Sequence, residues 1–206
     1  MKVLMLNGSP RKNGNTAAAL SEMEKVFSAQ GIQVETLSVG SASIVGCMAC
    51  GACKKLGRCV IDDLVNEAAP KFAEADGLVV ASPVYYAAAN GTLVSFLDRL
   101  FHSTSFPKAL KVGASVAVAR RGGCSATFDQ LNKYFTICGM PVASSKYWNS
   151  VHGNDPGEAQ QDLEGMQTMR ILAQNMAFLM KSIALGKETF GLPEPEPRRQ
   201  CTNFIR

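Results

Sequence analysis

The chain has 206 residues, 47% hydrophobic and 18% charged, with a formal net charge of +4; this is an ordinary globular balance that suits one domain with one well-covered core. No apolar run approaches the ~20 residues needed to cross a bilayer, and the first residues, MKVLMLNGSP, carry neither a long apolar stretch nor a cleavage site, so the expected compartment is the cytoplasm, with no membrane partner. The cations fall in isolated pairs, Arg11–Lys12, Lys54–Lys55, Arg120–Arg121 and Arg198–Arg199, a spacing that suits small anionic ligands and excludes a nucleic-acid stripe.

Strands and helices alternate along the chain. Residues 2–7, KVLMLN, form a short apolar run consistent with a buried strand. Residues 14–30 place Ala18, Leu20, Met23, Val26 and Phe27 at helical intervals, and Gly31 follows as a C-terminal cap. Residues 33–39 read as an edge strand, and 47–59 as loop. Residues 62–76 look helical but contain Pro70, which predicts a kink or two short pieces. A central strand, GLVVASP, is expected over 77–83, an amphipathic helix over 91–101, and another buried strand over 112–119. A helix over 124–139 ends at Gly139, a last strand covers 140–148, and a long helix covers 157–186. Its spaced Met166, Met169, Leu172, Met176 and Leu179 read as helix core or a dimer face. Residues 191–206 are too polar and proline-rich to fold alone. No internal repeat or linker interrupts 1–190, which is read as one domain. Such alternation argues for an α/β fold with a parallel sheet covered on both faces. Five strands suit the flavodoxin-like three-layer order 2-1-3-4-5.

In such sheets ligands sit at the carboxyl ends of the strands. The loop after the first strand, GSPRKNGNT over 8–16, offers two glycines, short polar side chains and the positive end of the following helix. It lacks both G-x-x-x-x-G-K-[ST] and G-x-G-x-x-G, so it is neither a Walker loop nor a dinucleotide fingerprint. A phosphate cradle and a simple helix cap both fit it. The loop after the 77–83 strand brings Tyr85 and Tyr86, flat amphipathic surfaces, and Asn90. The loop after the 112–119 strand brings Arg120, Arg121, Gly122 and Gly123. One ligand with a phosphate and an aromatic ring accounts for all three.

Together NGSPRKNGNT, SPVYYAAANGTLVSFLDR and ARRGG resemble the FMN-binding loops of the flavodoxin-like NADPH-dependent FMN reductase family, a likeness that runs over about residues 1–185. The resemblance implies that Ser9, Arg11, Asn15 and Thr16 hold the FMN phosphate. It implies that Pro83, Val84, Tyr85 and Tyr86 line the ring with Asn90 nearby, and that Arg120, Gly122 and Gly123 face its pyrimidine end. The implied reaction is hydride transfer from NAD(P)H to the flavin, which passes electrons on to an acceptor. No side-chain acid or base is needed, and no catalytic residue is named. A homodimer or homotetramer is implied as well.

Four of the seven cysteines, Cys47, Cys50, Cys53 and Cys59, follow the spacing C-x2-C-x2-C-x5-C. A bound cluster, free reduced thiols, zinc and a Cys50–Cys53 disulfide all remain open on the residues alone. GCMACGACKKLGRCVIDD resembles the iron–sulfur flavoprotein branch of the family. That likeness implies a [4Fe–4S] cluster beside FMN, an electron-carrier role and ferredoxin as donor, in place of the reductase activity. Cys124, Cys138 and Cys201 read as small hydrophobes. His152 and Asn154 fall in a loop that reaches toward the flavin in relatives, and Tyr147 and Trp148 suit a subunit contact.

Overall fold

In the computed structural model, residues 1–194 and Thr202 are described; most of the 191–206 tail, including Arg198, Arg199 and Cys201, lies outside them. The chain order is β1 (Lys2–Asn7), α1 (Asn15–Ala29), β2 (Gln33–Ser38), α2 (Cys53–Leu56), α3 (Leu64–Glu74), β3 (Gly77–Tyr85), β4 (Ala88–Ala89), α4 (Gly91–Ser103), β5 (Val112–Ala119), α5 (Cys124–Thr136), β6 (Ser150–His152), a 3-10 turn (Glu158–Gln161) and α6 (Leu163–Phe190). The main sheet runs β2-β1-β3-β5-β6 with every neighbouring pair parallel. This is the expected doubly wound order, with five parallel strands.

The two-residue period of a strand explains the two cores. Val3 and Met5 point to one face, where they meet Met23 and Phe27 of α1 and Met169, Leu172 and Met176 of α6. Leu4 and Leu6 point to the other, against Phe72 of α3, Phe96 and Leu97 of α4, and Phe135 of α5. The methionine stripe of α6 is therefore core; only Leu179 is partly exposed. Gly113 of β5 has no side chain because a Cβ there would lie 2.5 Å from the Phe135 ring. Among the described residues, no helix is long and apolar enough to cross a membrane.

Three expectations about longer elements need correction, besides the short α2 that forms inside the 47–59 stretch read as loop and ends at left-handed Gly57 (φ +69°). The last strand does not cover 140–148. That stretch touches the sheet by a single bridge, Gly113 with Val142, then leaves it. Beyond the Gly113 bonds to Pro141 O and from Ala143 N, the contacts are with α6: Asn175 Nδ2 donates to Ser144 O (2.8 Å) and the Ser145 hydroxyl to Thr168 O (2.7 Å). Buried Asn149 returns the chain to β5 by donating to Ser115 O (3.0 Å), and pairing resumes only at β6. Second, α3 continues through Pro70 as one helix rather than two short pieces. Its ends are fixed by the Asp63 cap and by burial of Val65, Ala68 and Phe72, which outweighs the ring's penalty. Third, the long helix starts at Leu163, after the 3-10 turn, because Asp162 accepts from Gly165 N (2.9 Å) and caps it there.

At the edge of the sheet, Glu35 on β2 binds Lys71 and Lys2. The Lys71 bond, helped by Lys2, holds its carboxyl below the ordinary 4.5 despite some desolvation. A lowered folded-state pKa stabilises above the unfolded value and is lost as pH falls through the folded one. Glu35→Gln is accordingly expected to flatten the fall in stability below pH 4.5 while leaving the neutral side of the curve in shape. Urea midpoints measured from pH 7 down to 3 check this; parallel curves for the two proteins would refute it.

Candidate functional site

The loops that follow β1, β3, β5 and β6 meet in a cleft of about 210 Å³. Ser9, Arg11, Asn15, Thr16, Pro83, Val84, Tyr85 and Arg120 line it, all expected from the sequence. Val118, Ala119, Gly153 and Asn154 complete the wall.

The first loop is shaped by its own short side chains. Asn7 Oδ1 accepts from Ser9 N (2.9 Å), and Ser9 Oγ accepts from Arg11 N (3.2 Å). Gly14 then stands at the N-cap of α1 without a side-chain cap, and the first turn holds no acid. The leading N–H groups of α1 are thus left for an anion, beside buried Ser9, Asn15 and Thr16. Arg11 reaches across to Asn154 O (3.3 Å), and Asn15 Oδ1 accepts from Ala159 N (3.2 Å), so the first loop is tied to the one after β6. Glu158 holds that last loop in turn. Its carboxylate accepts from Asn154 N (2.6 Å) and Asp155 N (3.2 Å), and these bonds lower its pKa. Both cations of the wall, Arg11 and Arg120, face a cleft that no acidic side chain lines.

Gly40 sets how closely the chain can pass behind this loop. A Cβ there would lie 2.2 Å from Gly8 O and 2.4 Å from Ser9 C, both backbone atoms.

Four expected residues stand outside the cleft wall. Tyr86 forms the tip of the β3–β4 hairpin and is fully exposed. Its φ of +52° and that of Ala87, +58°, give the turn two left-handed residues, the twist that tight hairpins need. Asn90 is buried and committed elsewhere. It caps α4 by accepting from Thr92 N (2.8 Å) and donates to Gly8 O (2.9 Å), which clamps the first loop to the second. Gly123, at φ +91°, makes room for the hairpin: a Cβ would meet Ala87 Cα and Val84 Cγ1 at 2.8 Å. Gly122 faces open space.

The fit to FMN rests on this chemistry. An uncapped helix end with short hydroxyls, two arginines, and an apolar wall of Pro83, Val84 and Val118 beside Tyr85 suit a phosphate joined to a flat ring.

Cys47, Cys50, Cys53 and Cys59 all line a second cavity, of about 30 Å³, with Met48, Ile61, Arg99, His102 and Ser103. Cys47 and Cys50 are exposed, and Cys53 and Cys59 half-buried; none is in a disulfide. Among the described residues, no three His, Cys, Asp or Glu side chains converge as a single metal ion requires. Four thiols on one cavity are the soft donor set that iron–sulfur clusters take, and their C-x2-C-x2-C-x5-C spacing differs from the two separated pairs usual for structural zinc.

Sequence reading missed Arg99. It is 1% exposed, the largest fully buried side chain in the molecule's described part. It binds Asp63 through two contacts, Nη1 to Oδ2 (2.6 Å) and Nη2 to Oδ1 (3.0 Å). Nη1 also donates to Val45 O and Nη2 to Ile61 O. Nε and Nη2 both donate to Cys59 Sγ, at 3.3 and 3.2 Å. Burial opposes its charge, but Asp63 and Cys59 outweigh that and raise its pKa. Asn66 fixes the backbone beside it: Cys59 N donates to Asn66 Oδ1 (3.1 Å), and Asn66 Nδ2 donates to Cys59 O (3.0 Å) and Ile61 O (3.1 Å). An arginine in an amphipathic helix reads as a solvated charge; only the paired aspartate at position 63 hints otherwise.

The cleft and the cysteine cavity share no lining residue. Arg99 lies nine positions along α4 from Asn90, roughly 13 Å at 1.5 Å per residue.

The model of the NADPH-dependent FMN reductase family matches residues 1–155. An iron–sulfur flavoprotein of Methanocaldococcus jannaschii is 34% identical over 89% of this chain and 99% of its own length. One from Methanosarcina thermophila is 31% identical over 91% of this chain and all of its own. Among solved structures, RosB with a bound riboflavin-phosphate intermediate aligns over all of this chain and 97% of its own with TM-score 0.70 at 16% identity. The apo form of an NADH:FMN oxidoreductase aligns over 95% of this chain and 97% of its own with TM-score 0.64 at 20% identity. At those identities the two structures establish the flavodoxin-like fold alone. The sequence matches establish more: the chain belongs to the NADPH-dependent FMN reductase family and has iron–sulfur flavoproteins as relatives along most of its length.

Proposed function

We propose that this protein is an electron-carrying iron–sulfur flavoprotein, with FMN in the cleft at the strand ends and a [4Fe–4S] cluster on Cys47, Cys50, Cys53 and Cys59. The observation that carries the reading is the gathering of all four thiols of the 47–59 segment around one cavity, in a chain whose relatives are iron–sulfur flavoproteins.

The phosphate of FMN would sit on the α1 N-terminus, with Ser9 and Thr16 hydroxyls donating and Arg11 neutralising charge. Asn15 and Asn90 would hold the loops in register rather than supply the main contacts. Val84, Pro83 and Tyr85 would exclude water from the ring face, and Arg120 would favour negative charge at its pyrimidine end. Bound flavin supplies stepwise electron transfer, and the protein sets its orientation and potential. Ferredoxin as donor and a homo-oligomeric assembly belong to this reading.

A second reading keeps the FMN and makes the protein an NAD(P)H-dependent reductase; the family match favours it. Steady-state NAD(P)H oxidation by the FMN-loaded protein separates the two. For the FMN site itself, Thr16→Val keeps the side chain's shape and removes a donor to a charged phosphate, worth about 1.5–3 kcal/mol. The dissociation constant, followed by flavin fluorescence, is expected to rise at least about tenfold. No quenching of flavin fluorescence and no melting shift in the native protein would end the proposal.

A further inference from the structure

We propose that Arg99 is the positioning residue of the cysteine site: its two N–H groups on Cys59 Sγ hold that thiol in place and raise the reduction potential of a cluster bound there. This rests on the reading of the four cysteines as cluster ligands.

A guanidinium with 1% exposure is an expensive group to bury. Burial is tolerated when every donor is used, and here all three nitrogens are used. Asp63 supplies the counter-charge and Val45 O and Ile61 O take further protons. An Asp63 pair alone would satisfy the charge at the surface, where both side chains could stay wet. The buried placement brings something the surface does not: two donors converge on one sulfur, at 3.3 and 3.2 Å.

Those bonds span the loop. Val45 and Cys59 stand on either side of the three other cysteines, so one rigid fork closes the segment that contains them. Asn66 secures the backbone of Cys59 and Ile61 and the Asp62 carboxylate, but not the sulfur. The sulfur itself is held from α4. Lysine cannot copy this geometry, because one ammonium on a flexible stem cannot bridge Asp63, Val45 O and the sulfur at once.

The electrostatic consequence has a fixed sign. Reduction adds negative charge to a cluster, and hydrogen bonds to its sulfurs are among the factors that set its potential. Donors on a ligand sulfur favour the more negative, reduced state, and a cationic donor does so more strongly than a neutral one. Removing them lowers the potential.

The test uses Arg99→Lys, with Asn66→Ala as a control that loosens the backbone and leaves the sulfur bonds in place. Full-length protein is reconstituted anaerobically with iron and sulfide, and its cluster is titrated redox-metrically by absorbance. In Arg99→Lys the ratio of reduced to oxidised cluster at a fixed potential is expected to fall about tenfold, equal to about 59 mV for a one-electron couple. In Asn66→Ala it should move less than threefold. A change below twofold in Arg99→Lys overturns the potential claim. Hydrogen exchange on cluster-free protein reads the positioning claim separately. Amides of residues 45–62 should exchange about tenfold faster in Arg99→Lys; unchanged exchange overturns it. Failure of the native protein to take up any cluster overturns the reading of the cysteines themselves, and this inference with it.

Discussion

Asp63→Ala is expected to destabilise the protein by about 3–5 kcal/mol, a large part of the 5–15 kcal/mol that holds a typical domain together. Asp63 serves two elements at once. Its Oδ1 accepts from Val65 N (3.0 Å) and caps α3, and loss of a cap costs about 0.5–2 kcal/mol. Its carboxylate also faces Arg99, with the arginine at 1% exposure and the aspartate at 18%. Truncation leaves a buried cation with no counter-charge, and that is the larger part of the cost. Asp63→Asn keeps an acceptor for both roles and is expected to lose about half as much. Urea denaturation of the two variants checks the pair; a loss below about 1 kcal/mol in Asp63→Ala would show that the ion pair is not sustaining the fold. The cap, the ion pair and the cysteine loop form one assembly, so local order over 45–63 should fall with the global stability.

Gly40→Ala is expected to weaken FMN binding by at least about 100-fold, or about 2.7 kcal/mol. The new methyl group would enter the space of Gly8 O and Ser9 C at 2.2 and 2.4 Å. Both are backbone atoms, so no side-chain rotation relieves the clash; either the first loop or the end of β2 must move. Gly40 N and Val39 N both donate to Asn7 O (3.1 and 2.8 Å), which fixes the end of β2 against β1. Gly8 is held as well, by Ala81 O and Asn90, so the clash must break one of these anchors and shift the start of the phosphate cradle at Gly8 and Ser9. Flavin fluorescence titration and a melting curve measure the two effects. A dissociation constant within about threefold of the native one would show that the loop adapts without loss, and the cradle would need another explanation.

How far the sequence could be read follows from what each signal depends on. The central strands were legible because β3 and β5 are mostly apolar and buried, and α1 ends at Ala29 just before Gly31, whose φ of +70° is the left-handed stop its position implied. The 140–148 stretch was not legible. Its hydrophobic letters fit a strand, but its backbone meets β5 only around Gly113 before Ser144 and Ser145 turn to α6, and only tertiary contact decides between the two. The β3–β4 hairpin was missed because Tyr86–Ala87 lacks the Asn-Gly or Asp-Gly signal that such turns usually carry. In the cleft, eight of the expected side chains converge because they belong to loops on one edge of the sheet. Asn90, Gly122, Gly123 and Tyr86 were read from the same loops, but their backbones turn them to clamping, packing or solvent. Arg99 was missed for a simpler reason. A charge in a helix gives no sign of being buried until the chain that covers it, here 45–63, has been placed.

The hairpin tip has a further consequence. Tyr86 and Ala87 each hold a left-handed backbone that non-glycine residues adopt at a cost of order 1–3 kcal/mol. The pairing of Val84 with Ala89 and Tyr85 with Ala88 closes the turn, and two outside contacts support it: Gly123 leaves room for Ala87, and Gln130 Oε1 accepts from Ala89 N at 2.9 Å. The loop after β5 and the first turns of α5 therefore brace the hairpin from behind, so any shift of that loop is passed to the wall of the cleft that Val84 and Tyr85 form.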